Sequence, residues 1–204
     1  MLNYDRTQVL NATAIWELPF GKGKPWVNSG IASRLLGGWQ TNGIFTAMTG
    51  LPFSVTASGT SLNVPGTTQY ADQVTADVPI LGGTGPGVTW FDPTAFRPVT
   101  QVRLGNSGRN SLRGPRLVNL DIGLFRDFAL SERLHLQFRG EAFNFTNTPH
   151  WGLPSANVSS ATFRADGSIS NLGGFGSITS TDGSYLTRSG MDERTFRLGL
   201  RLSF

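Results

Sequence analysis

The sequence predicts an all-β protein. Its antiparallel, up-and-down strands form the last part of a transmembrane β-barrel, about five strands, with two long extracellular loops. Three observations predict this. The final stretch, 194–204, alternates strictly: Phe196, Leu198, Leu200, Leu202 and Phe204 share one face, and Thr195, Arg197, Gly199, Arg201 and Ser203 share the other. A period of two is a β-strand, and eleven residues tilted near 40° span about 28 Å, the height of an outer-membrane apolar band. Composition agrees, with 26 glycines but only 15% charged and 38% hydrophobic residues in 204. That is sparse for a soluble core and ordinary for a barrel with a wet interior. The connections, finally, alternate between short and long, as barrel hairpins do.

The elements follow in order. Residues 8–18 alternate, with Leu10, Ala12, Ala14, Trp16 and Leu18 on one face and Asn11, Thr13 and Glu17 on the other, Ile15 being the exception. Pro19-Phe-Gly-Lys-Gly-Lys-Pro25 breaks that strand, because proline removes a ladder donor and glycine admits turn dihedrals. Residues 26–37 fit either a short helical turn or irregular structure. A long second strand runs from Gly38 to about Ala57, with Trp39, Phe45, Ala47, Leu51, Phe53 and Val55 on one face. Gly50 and Pro52 mark a bend within it or a hairpin tip. Residues 58–115 lack sustained periodicity and read as a long outer loop.

Residues 116–126 give a third strand, with Val118, Leu120, Ile122 and Leu124 outward and Asn119, Asp121 and Gly123 inward. After a short connection at 127–132, residues 133–145 set Leu134, Leu136, Phe138, Gly140 and Ala142 against His135, Gln137, Arg139 and Glu141. Residues 146–193 form a second long connection before the final strand. If Phe204 ends in the periplasm, both long connections fall outside and both short ones inside. Five strands cannot close alone, since membrane barrels use at least about eight. The expectation is therefore a slice whose edges pair with strands beyond this sequence. No run approaches ~18 apolar residues, so no transmembrane helix is predicted. The N-terminus lacks a basic and then apolar leader, which makes this the expected tail of a longer chain.

The chemistry-bearing residues point to a wall. Asp121, His135, Arg139, Glu141, Arg197 and Arg201 are predicted to face the lumen, with Asp121 opposite Gln137 or Arg139 and able to pair with the latter. Arg197 and Arg201 add a basic strip that steers anionic solutes weakly. A metal site is not expected from the only two histidines, His135 and His150, set at opposite ends of one strand without further ligands, and there is no cysteine. No Gly-x-Ser-x-Gly elbow supports a hydrolase, and the glycines at 82–87 and 173–176 lack phosphate-loop spacing. No enzyme activity and no cofactor are expected. The net charge of +4 is spread from Arg6 to Arg201 without a basic run, which argues against a nucleic-acid partner. Trp16, Trp26 and Trp39 read as an interfacial aromatic girdle. The competing reading is a secreted β-sandwich that binds carbohydrate or a surface, burying its apolar faces under a second sheet.

Several motifs carry a family resemblance. Gly105-Asn-Ser-Gly-Arg-Asn-Ser-Leu-Arg-Gly-Pro115, Asn119-Leu-Asp121 and Phe138-Arg-Gly-Glu-Ala-Phe-Asn-Phe-Thr-Asn147 with Gly152 resemble the C-terminal barrel of TonB-dependent outer-membrane receptors. The likeness is to the Oar-like subgroup, whose members carry a carboxypeptidase-regulatory-like domain before plug and barrel. Asp5-Arg6, Glu17-Leu-Pro-Phe-Gly-Lys-Gly23, Leu36-Gly-Gly-Trp-Gln40 and the terminal Phe204 fit the same group. The resemblance implies that residues 1–204 are a partial receptor barrel in the bacterial outer membrane, without plug or N-terminal domain. Implied partners are outer-membrane lipid, the remaining barrel and plug, the TonB complex through that plug, and the barrel assembly machinery. Leu198, Leu200, Leu202 and Phe204 look like the signal that machinery reads. The implied activity is energised import of a bulky or scarce solute.

Overall fold

A computed structural model describes residues 2–182 and 192–204. The nine residues 183–191 of the second long connection lie outside the described residues. The chain divides into two compact units. One, the sheet unit, comprises residues 9–47, 118–149 and 191–204; the other, the loop unit, comprises 1–8, 48–117 and 150–190.

The sheet unit holds five strands: β1 (Val9–Glu17), β2 (Trp39–Met48), β3 (Leu117–Ala129), β4 (His135–Phe143) and β5 (Thr195–Ser203). They neighbour one another in chain order, so the sheet is an open meander. Leu18 N–H bonds to the Trp39 carbonyl at 2.9 Å, and Thr49 N–H to the Gln8 carbonyl at 3.1 Å; both contacts keep the same antiparallel register between β1 and β2. Between β4 and β5, Leu136 stands opposite Leu202, Phe138 opposite Leu200 and Gly140 opposite Leu198. Between β3 and β4, Phe128 stands opposite Leu136, Arg126 opposite Phe138 and Leu124 opposite Gly140. Side chains opposite one another in a ladder share a face. The registers therefore join Ile122, Leu124 and Phe128 with Leu136, Phe138, Leu198, Leu200 and Leu202 on one apolar face. Asp127, Gln137 and Arg201 lie on the other, together with Phe125, Arg139, Glu141 and Arg197.

Among the described residues nothing covers the apolar side of β5: Leu198 is 80% and Leu200 71% exposed. A β-sandwich would have buried them beneath a second sheet, so that reading fails. The five-strand meander is as expected from the alternation, and β3 runs three residues further than expected, to Ala129. The undecided stretch contains one short helix, α1 (Gly30–Leu36). Gly21 and Gly37 cross beside it so closely that a Cβ on Gly21 would lie 2.5 Å from the Gly37 Cα, which explains two glycines there.

Two expectations are corrected. The second strand does not continue to Ala57. It leaves the sheet after Met48, because Gly50 packs against the 114–115 backbone, where a Cβ would sit 1.8 Å from the Gly114 carbonyl oxygen. Pro52–Phe53 then pairs with Leu112–Arg113, and Thr56–Ser58 with Thr68–Tyr70. Alternation persisted because Phe53 lies in one short ladder and Val55 just before the next, but both side chains are buried in a protein core (6% and 0% exposed). The second correction concerns residues 58–115, which are not a structureless loop. With 150–182 they enclose a core of Val55, Phe91, Phe96, Val158 and Phe175. Phe91 is its centre: the rings of Phe96 and Phe175 meet it edge-on at 5.7 and 5.4 Å, and Phe53 tilts against it at 5.8 Å. Trp90 N–H to the Gly176 carbonyl (2.7 Å) and Gly85 N–H to the Ile178 carbonyl (2.8 Å) stitch the two connections together.

Candidate functional site

The polar face of the sheet is the first candidate. Arg139 pairs ionically with Glu141, Nε to Oε1 3.2 Å, and its guanidinium lies 5.1 Å from the Phe125 ring. Arg197 stands opposite Glu141 and 5.1 Å from the Phe143 ring. Arg201 stands opposite Gln137, whose side-chain amide donates to Asp127 Oδ1 at 3.1 Å. His135 is exposed at the end of β4, opposite Ser203. Alternation thus brings His135, Arg139, Glu141, Arg197 and Arg201 onto one surface of neighbouring strands.

Asp121 is placed differently from the expectation. The connection between β3 and β4 is shifted to 130–134, so Gln137 meets Asp127 and Arg139 meets Phe125. The Asp121–Arg139 pair therefore does not form. Asp121 Oδ1 instead accepts the Asn144 N–H at 2.8 Å and the Asn119 side-chain amide at 3.1 Å. The carboxylate closes the end of β4, a structural task. Asn144 itself takes a left-handed φ of 46°, and its side chain accepts from Thr148 N–H and donates to the Thr148 and Asp192 carbonyls. The Asn144-Phe-Thr-Asn147 motif is thus the hinge by which β4 leaves the sheet.

The loop unit carries the second candidate, which no sequence motif announced. A groove of about 760 Å³ is lined by Phe53, Leu62, Val64, Tyr70, Leu104 and Arg109, with Gln69 and Asn110 among its polar groups. Its walls are fastened by residues of the glycine- and asparagine-rich 105–115 stretch. Asn110, φ 54°, donates through its backbone to Ser54 Oγ at 2.8 Å and through its amide to Asn3 Oδ1 at 2.8 Å. Arg113 binds the Asp5 carboxylate and the Gly50 carbonyl. Nearby, Arg103 forks onto Asp72 with two 2.7 Å bonds. That hydrogen-bonded guanidinium holds the Asp72 carboxyl below its ordinary range. Apolar walls with a few converging amide and cationic groups suit an amphipathic solute. The groove was illegible because its lining comes from residues 3 to 153, with no common spacing.

Among the described residues, no cluster of three or more histidine, aspartate or glutamate side chains could hold a metal. His150 lies beyond β4, buried in the loop unit, and not at the end of a strand shared with His135. The glycines at 173–176 form a tight turn: Phe175 N–H bonds to the Leu172 carbonyl, and a Cβ on Gly173 would lie 2.0 Å from the Ser160 carbonyl oxygen.

Residues 1–196 match the model of a family described as an outer membrane beta barrel domain. No curated protein and no solved structure matches the chain. The family match covers nearly the whole sequence, and the meander with one apolar and one charged face is what such a domain requires. The chain belongs to the outer-membrane β-barrel family, and its place is the bacterial outer membrane.

Proposed function

We propose that this barrel segment is the C-terminal part of a TonB-dependent receptor of the Oar-like subgroup, and that it serves energised import of a bulky or scarce solute rather than catalysis. The observation that carries the reading is the loop unit. Its two connections share an aromatic core and fix a groove of about 760 Å³, whereas a simple pore needs no such built surface. The resemblance motifs support it, since Asn110, Arg113 and Asn144 each hold a loop to its neighbours. In this reading the polar face carrying His135, Arg139, Glu141, Arg197 and Arg201 lines the lumen beside the plug. Leu198, Leu200, Leu202 and Phe204 present the terminal signal to the assembly machinery.

The test is cross-linking of the full-length protein to the periplasmic domain of TonB in isolated membranes. The reading predicts a cross-linked product that disappears when the segment N-terminal to the plug is deleted. A full-length protein that never cross-links, and whose gene encodes no plug, contradicts it.

A further inference from the structure

The connection between β1 and β2 carries an apolar surface that the barrel reading does not use. Helix α1 turns Ile31 (78% exposed), Leu35 (65%) and Leu36 (49%) outward. Its opposite side is built from Ser33, which is buried, and Gly37, which bonds back to the Ser33 carbonyl and packs on Gly21. The helix end is fastened to the apolar face of the sheet, not to the polar one. Trp39 Nε1 donates to the Leu35 carbonyl at 3.2 Å, and the Arg126 guanidinium donates to the carbonyls of Arg34 and Leu35. Arg126 sits on β3 opposite Phe138, within the apolar face, and its guanidinium lies 4.3 Å from the Phe128 ring and 5.5 Å from that of Trp39. A cation on a lipid-facing strand is costly unless it is met locally. Here two carbonyls take the terminal nitrogens and two rings lie against the guanidinium, while its buried Nε has no partner among the described residues.

We infer that the 18–38 connection is a foot resting in the phospholipid headgroup region of the membrane. Ile31, Leu35 and Leu36 enter the acyl chains, and Lys22 and Arg34 meet anionic headgroups. Three features select lipid as the occupant. The helix continues the apolar face that the family membership already assigns to the membrane. Its rim is cationic: Lys22 and Arg34 are exposed, and Glu17, at the end of β1, is paired with Lys24 at 2.7 Å. The rings of Phe20 and Trp26 tilt against each other at 5.7 Å in the same connection, and Trp26 is 58% exposed, the amphipathic ring type that settles at headgroup level. Connection lengths put this end in the periplasm, so the leaflet concerned is the periplasmic one.

The inference rests on the barrel's membrane location and not on transport. These 204 residues contain no cysteine, so an introduced thiol is the only one in this segment, and any cysteine outside it is replaced by serine. In the full-length protein assembled in phosphatidylcholine vesicles with or without phosphatidylglycerol, Leu35→Cys, Lys22→Cys and the sheet reference Leu200→Cys each carry a fluorophore. The expected result is quenching of the Leu35 label by nitroxide-bearing lipid, with thiol labelling by an impermeant maleimide about tenfold slower than at Lys22. Phosphatidylglycerol should strengthen the quenching, by about fivefold in apparent lipid affinity per cation, and Lys22→Gln with Arg34→Gln should abolish that gain. A Leu35 thiol that is unquenched overturns the proposal, whether it reacts as fast as Lys22 or is shielded by protein. Quenching indifferent to lipid charge overturns the headgroup half. Failure at Leu200 as well would strike the membrane placement of the sheet itself.

Discussion

The two units solve opposite solvent problems with the same chemistry. Every fully buried apolar side chain among the described residues, from Phe53 and Val55 through Phe91 and Phe96 to Phe175 and Ile178, belongs to the loop unit. The buried side chains of the sheet unit are Ser33, Asn119 and Asn144, all polar, while Leu198, Leu200 and Phe196 stand exposed. The loop unit is a water-soluble fold in miniature, and the sheet unit is inverted. The difference teaches that amino-acid content does not decide burial; the solvent on each side does. In water the hydrophobic effect of ~25 cal/mol per Å² collects apolar groups inside. In hydrocarbon that term vanishes between side chains, and backbone and amide groups must be closed instead.

The largest effect that sharpens this contrast is expected at Phe91. Phe91→Ala should destabilise the loop unit by ~3–5 kcal/mol, because three rings lose their common neighbour. Limited proteolysis should then cut between residues 58 and 115 while the sheet still resists. Equal loss of both units would break the division. Next comes Leu200→Arg, facing Phe138 on the apolar side, which should cost ~2–4 kcal/mol in urea unfolding from vesicles. Arg201→Ser, one residue along on the other face, should stay within ~0.5 kcal/mol. Similar costs at both positions would mean that the two faces share one solvent.

Asn144→Ala removes the side chain that closes the end of β4 and puts a residue without a local side-chain bond at φ 46°. A loss of ~1–3 kcal/mol is expected, read as faster amide exchange at Phe145 and Thr148. The smallest effect belongs to acid. Arg103 depresses the Asp72 carboxyl below its unfolded value, so this pair's contribution is complete above the ordinary carboxylate range. It is lost as pH falls through the depressed folded value. Protection factors around 96–107, with the intrinsic pH dependence of exchange divided out, should therefore fall on acidification, and Arg103→Gln should flatten that dependence.

Legibility followed the same division. In β4 and β5 the strict alternation of Leu136, Phe138, Leu198 and Leu200 with Gln137, Arg139, Arg197 and Arg201 is itself the fold, because one period and two solvents suffice to place each residue. Register was harder. Alternation is indifferent to a shift of two residues, so the β3–β4 hairpin could slide until Asp121 met Arg139, and only its turn at 130–134 decides otherwise. α1 was undecidable because seven residues between Gly30 and Gly37 carry barely two turns of pattern. The loop-unit core was invisible for a different reason. Phe53, Phe91, Phe96, Val158 and Phe175 follow no period, and only tertiary closure of two distant connections brings them together.

The most direct test is a nitroxide scan of β5 in the vesicle-embedded full-length protein, residue by residue from Thr195 to Ser203. Oxygen, which partitions into hydrocarbon, should relax the probes at Phe196, Leu198, Leu200 and Leu202, and a polar nickel complex those at Arg197, Gly199 and Arg201. An alternating two-residue pattern is the predicted result. Uniform access of the nickel complex to both sets, or protection of both from oxygen, would contradict it.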